Sequence, residues 1–88
     1  MRIISQHGHV DLPYERTCLC LNTDCVMARC DGKEYLVGVY STKEKANKVM
    51  EMCRIKYGDY LQAKSNTFAN WFIAPKVFQF PADEDIEV

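Results

Sequence analysis

The chain has 88 residues, 48% of them hydrophobic, and its 11 basic and 12 acidic side chains leave a net charge of -1. This is ordinary composition for one globular domain, outside the low-hydrophobicity, high-charge regime of disordered chains, and it supplies no global field toward nucleic acid or an anionic membrane. A domain of this size buries only roughly 60 to 65% of its unfolded surface, so the core is thin and association would add to it.

Met1 to Gln6 holds only two consecutive apolar residues, short of the ~7 to 15 of a secretory h-region, and no apolar run reaches the ~18 to 20 residues of a bilayer span. The expectation is a cytoplasmic chain without a membrane segment. Its five cysteines are an odd count, which fits reduced thiols better than a disulfide-stapled secreted scaffold.

Ile3-Ile4-Ser5 reads as a short strand, ended by Gln6-His7-Gly8-His9, with Val10-Asp11-Leu12 returning beside it and Pro13 closing the piece. Thr17 to Leu21 and Cys25 to Cys30 form a hairpin around Asn22-Thr23-Asp24. Asp31-Gly32 supplies a type I′ turn into a strand from Lys33 to Tyr40, which completes a three-stranded meander. Pairing outward from that turn places Ala28 opposite Tyr35 and Val26 opposite Val37 on a core face, and Arg29 opposite Glu34 on a wetter one.

Ser41 is the expected N-cap, with Glu44 as its capping-box partner. Ala46, Val49, Met50, Cys53, Tyr57, Tyr60 and Leu61 then recur at helical spacing. The helix end stays open between Tyr57 and Lys64, with Gly58 the first candidate stop. After a polar stretch, Trp71-Phe72-Ile73 forms an apolar knot before Pro75. Val77-Phe78-Gln79-Phe80 reads as a last strand stopped by Pro81, able to lie beside the first.

The expected fold class is therefore α+β, an antiparallel meander sheet of about four or five strands with one long amphipathic helix packed on one face, over Val26, Ala28, Tyr35, Val37 and Val39. Residues 1–81 form the domain. Residues 82–88, with Asp83, Glu84, Asp85 and Glu87, read as a solvated acidic tail.

No nucleophile with a base, phosphate loop or metal box stands in the sequence, so no catalytic residue and no cofactor is assigned. Cys18, Cys20, Cys25 and Cys30 superficially suggest a four-thiolate zinc site, but strand parity argues against it. A three-residue loop at Asn22 to Asp24 puts Cys18, Cys20 and Cys30 on one face; a two-residue loop puts Cys18, Cys20 and Cys25 there. Neither gathers all four. Cys53 on the apolar helix stripe reads as a small hydrophobe, and His7 and His9 with Asp11 make only a weak metal pattern. Lys43, Lys45, Lys48, Arg54 and Lys56, with Tyr57, Tyr60 and Trp71 for stacking, give a nucleic-acid reading that Glu44 and Glu51 interrupt. Trp71, Phe72, Phe78 and Phe80 are the densest aromatic cluster and the candidate interaction surface, either core filling or a face for self-association.

Several segments carry a resemblance: Met1-Arg2-Ile3-Ile4-Ser5-Gln6 with Gly8, Asp11-Leu12-Pro13-Tyr14-Glu15, Tyr40-Ser41-Thr42-Lys43-Glu44-Lys45-Ala46, Val49-Met50-Glu51-Met52, and Val77-Phe78-Gln79-Phe80-Pro81-Ala82-Asp83-Glu84-Asp85. In these the chain resembles the short, uncharacterised phage-related proteins of Firmicutes prophages and mobile elements. The cysteines and middle strands lie outside the likeness, and His7 departs from the aspartate typical before the first glycine. The resemblance implies a mobile-element accessory protein and no activity. The leading expectation is a non-enzymatic protein that binds itself, as a homodimer, or another protein; nucleic-acid regulation and a metal or thiol site are the alternatives.

Overall fold

The computed structural model describes residues 1–65 and 77–87. Among the described residues six strands and one long helix make an α+β fold: β1 (Arg2–Ile4), β2 (Asp11–Pro13), β3 (Thr17–Asn22), β4 (Cys25–Cys30), β5 (Lys33–Val39), α1 (Lys43–Ser65) and β6 (Val77–Gln79). The strands form two sheets of three, in the orders β2-β1-β6 and β3-β4-β5, and not one sheet of four or five. Only β3-β4-β5 is a pure antiparallel meander; β6 runs parallel to β1.

Sheet β2-β1-β6 is apolar on one side. Ile3 pairs with Leu12 on one flank and Phe78 on the other, and all three are buried while the residues at the strand ends are more exposed. The turn that returns β1 to β2 is held by the buried Ser5: its carbonyl accepts from Gly8 N–H at 2.9 Å and its hydroxyl from Val10 N–H at 3.1 Å. Gly8 sits at φ 80, where a side chain would be strained.

In the meander, Asn22 pairs with Cys25, so the β3-β4 loop is the two-residue Thr23-Asp24. Asp31 and Gly32, at φ 52 and 79, have the positive angles of a type I′ turn, and Cys30–Lys33, Arg29–Glu34 and Ala28–Tyr35 pair in turn beyond it. The expected Val26–Val37 pair does not form. Met27 faces Leu36 but Val26 faces Gly38, so Val37 is the extra residue of a β-bulge. Val37 and Gly38 are both buried, and the shift turns Val39, expected under the helix, outward beside Cys25 at 43% exposure.

The helix begins one residue later than the Ser41 cap predicts. Thr42 Oγ1 accepts from Lys45 N–H at 3.2 Å and the Thr42 carbonyl accepts from Ala46 N–H, so Thr42 is the N-cap and the Ser41–Glu44 capping box is not formed. Ser41 N–H donates instead to Asp83 Oδ1 at 2.7 Å. Gly58 does not stop the helix, which spans 23 residues and about 34 Å. Ala46, Val49 and Cys53 join Val26, Ala28, Cys30, Val37, Ile3, Phe78 and Phe80 in one buried cluster. Leu61, expected on the same stripe, is 47% exposed.

The acidic end is not simply a solvated tail. Asp83–Asp85 forms a single 3-10 turn, Ile86 is buried, and Lys45 reaches both the Asp83 carbonyl (3.2 Å) and its carboxylate (3.6 Å). One side chain ties this end to both sheets. The Gln6 amide accepts from Val39 N–H (3.0 Å), donates to the Val39 carbonyl (3.2 Å) and donates to the Pro81 carbonyl (3.0 Å), continuing the edge of β5 as a strand would. Gln6 N–H also donates to the Val37 carbonyl at 2.8 Å.

Candidate functional site

Of the aromatic cluster named from sequence, Phe78 and Phe80 are described, and they take the core-filling alternative. Phe78 and Phe80 share a strand face and meet edge-on, ring centroids 5.3 Å apart, but at 8% and 1% exposure they belong to the core. A strand whose alternate residues sit between β1 and the buried cluster has no aromatic side chain to offer a partner. Trp71 and Phe72 lie outside the described residues.

The largest exposed apolar groups described on the strands sit elsewhere, on the outer face of β3-β4-β5. The register sorts that face into three rows across the sheet: Cys18, Arg29, Glu34; then Cys20, Met27, Leu36; then Asn22, Cys25, Val39. The first row is polar, with Arg29 and Glu34 paired through their charged ends. The other two are mostly apolar or sulfur-bearing, and Leu36 stands 51% exposed beside the half-buried Met27. A shallow cavity of about 240 Å³ opens between the rows, lined by Cys20, Asn22, Met27, Arg29 and Glu34. The opposite face of the same strands carries Leu19, Leu21, Val26, Ala28, Tyr35 and Val37, packed in or against the core.

The two-residue loop decides the cysteines. Cys18, Cys20 and Cys25 lie on the outer face and Cys30 on the core face, so the four do not form a zinc box. Among the described residues no three His, Cys, Asp or Glu side chains converge as a metal site. His7 and His9 are exposed in and after the first turn, and Asp11 is engaged by Arg2, whose Nε lies 3.1 Å from Oδ1. Cys53 is fully buried, and burial pushes its thiol up to about 11. The Cys20 thiol is also raised, first by its hydrogen bond to Cys18, and that of Cys25 by its hydrogen bond to Asp24.

The basic face of α1 is partly committed. Lys45 is held by Asp83, and Tyr57 lies against Tyr14 (centroids 4.5 Å) and Tyr60 (5.9 Å), so these rings stack on one another. Arg54 borders a cavity of about 160 Å³ with Tyr14, Thr17, Leu19 and Met50. Lys43 and Lys48 remain exposed. Among the described residues no helix is long and apolar enough to cross a membrane.

Residues 21–66 match a family described as a domain of unknown function, DUF7336, which covers more than half of the 88 residues. The chain belongs to this family. The DUF7336 match takes in the end of β3, the β4-β5 hairpin with its bulge, and α1, so all of the outer rows except Cys18 and Cys20 fall within it. No curated protein and no solved structure matches the chain.

Sequence reasoning missed the outer face because it assigned one face of the meander to the core and left the other as merely wet. A signal was present. Tyr35 to Tyr40 is a continuous apolar run, and a strand buried on one side only would alternate.

Proposed function

We propose that this chain is a non-enzymatic interaction domain that self-associates through the outer face of β3-β4-β5. One observation carries the reading: Leu36 and Val39 are 51% and 43% exposed on the strand β5, whose other face supplies Tyr35 and Val37 to the core. In this reading α1 covers the inner face of the meander, which the shared cluster of Ala46, Val49, Cys53, Val26 and Ala28 supports. Among the described residues no helix lies on the outer face, and a second copy supplies that layer.

A second copy fits the chemistry of the surface. The net charge of -1 opposes association little, and the Arg29–Glu34 row offers both signs to a two-fold related copy. Three strands of this length span about 14 Å by 20 Å, well below the roughly 800 Å² per partner of a standard interface, so the association is weak. The resemblance to phage-related proteins supports reading such a domain as an accessory protein of a mobile element, and its free thiols suit the reducing cytoplasm. Size-exclusion chromatography with light scattering tests the proposal: a dimer is expected at ~100 μM, and a strict monomer there rejects self-association.

A further inference from the structure

We infer that Cys18 and Cys20, with the Met27 thioether beside them, form a binding site for a single soft monovalent metal ion, copper(I). The inference does not need self-association, but the site lies on the outer face proposed for it, so the site is open in the single chain and a second copy competes with the ion. It rests on the register that sets Cys18, Cys20 and Met27 together on that face. Cys18 and Cys20 are two apart on one strand, both exposed on the same face, and both free. Met27 is the register partner of Cys20 on the neighbouring strand, and the cavity there is lined by Cys20 and Met27 together.

Strand geometry selects what such a pair can hold. Alternate residues of a strand stand about 6.6 Å apart. A disulfide needs its Cβ atoms roughly 3.5 to 4.5 Å apart, so closing one here would distort the strand. An ion between the sulfurs lengthens the bridge and removes that strain. Zinc asks for four ligands, and no third His, Cys, Asp or Glu joins the pair among the described residues. Two thiolates with a thioether suit copper(I), which soft sulfur ligands select.

Charge points the same way. Two thiolates at alternate positions of one strand face repel each other unless a cation lies between them. Arg29, in the row of Cys18, is already paired with Glu34, so the ion itself supplies the positive charge. Binding releases the two thiol protons to solvent and changes no oxidation state.

The test is anaerobic titration of the reduced full-length chain with copper(I) as its acetonitrile complex, in competition with a chromogenic copper(I) chelator. We expect one copper per chain. Cys18→Ser and Cys20→Ser should each weaken binding by about 100-fold, Met27→Leu by several-fold, and Cys25→Ser should leave it unchanged. Affinity should rise about 100-fold per pH unit below the thiol pKa values, because two protons leave. Circular dichroism confirms that each variant is folded, and X-ray absorption on the wild-type complex, which needs no variant, should show only sulfur ligands. Unchanged affinity in folded Cys18→Ser or Cys20→Ser, one copper per two chains, or nitrogen or oxygen ligation would overturn the site.

Discussion

Gly38 lies against the ring of Tyr40: a Cβ at position 38 would come within 2.8 Å of Tyr40 Cε2 and 3.0 Å of its hydroxyl oxygen. Tyr40 is buried, burial raises its phenol pKa, and its hydroxyl donates to the Pro81 carbonyl at 2.9 Å, so the ring cannot swing aside without releasing that bond. The bulge at Val37 presses these two residues together. Gly38→Ala should therefore cost about 1 to 3 kcal/mol in urea denaturation, the range for overpacking a filled core. Tyr40→Phe should cost less, about 0.5 to 1.5 kcal/mol, because Gln6 still donates to Pro81. Wild-type stability in Gly38→Ala would contradict this packing.

The helix start separates two adjacent candidates. With Thr42 Oγ1 on the Lys45 N–H, Thr42→Ala should lose about 1 kcal/mol. Ser41→Ala should act through the docked acidic end and not through the helix start, since both the N–H and the hydroxyl of Ser41 hold the Asp83 carboxylate. Thermal denaturation of each variant in an Asp83→Ala background decides it: Thr42→Ala should still lose about 1 kcal/mol there and Ser41→Ala little, and a larger loss at Ser41 in that background would restore the sequence reading.

Asp83 makes the docked acidic end sensitive to acid. The hydrogen bond from Ser41 N–H, with Lys45 nearby, holds its carboxyl below the usual carboxylate range. A lowered folded pKa contributes stability above the unfolded value of about 3.9, lost as pH falls through the folded value. Asp83→Asn should be less stable than wild type at neutral pH, and the gap should close in acid. A gap that persists unchanged at pH ~2 would show that the carboxylate contributes nothing by its charge.

Cys53 acts on the alkaline side. Its folded pKa of about 11, raised from 9.0 by burial, means the unfolded chain gives up this proton first. Stability is then complete below pH ~9 and falls as pH rises toward ~11, by roughly 2 to 3 kcal/mol, with Tyr40 extending the decline. Denaturation from pH 8 to 11 should show this slope in wild type and a shallower one in Cys53→Ala. Equal slopes would mean the thiol is not buried as a neutral group.

The local signals in the sequence were good where the chemistry is local. Asp31-Gly32 fixed its own turn and, by counting, three pairs beyond it. Counting failed at Val37, where the neighbouring glycine was the available sign of a bulge. Val77 to Phe80 could be read as a strand, but its parallel pairing with Arg2–Ile4 closes across almost the whole chain, and no short-range pattern encodes that. The docking of the acidic end was hidden by its charge. Ile86, a lone apolar residue among carboxylates, was the mark of a segment with something to bury. For the candidate surface, aromatic content drew attention to Phe78 and Phe80, which the core uses, while Leu36 and Val39 were absorbed into a strand assumed to be covered.

Sedimentation equilibrium of the wild-type chain and Leu36→Glu over about 5 to 200 μM tests self-association through the outer sheet face most directly. The wild type should rise with concentration from the 10.2 kDa of one chain toward twice that mass, while a folded Leu36→Glu stays at one chain throughout. Identical mass curves for the two proteins, whether both monomeric or both dimeric, would contradict it.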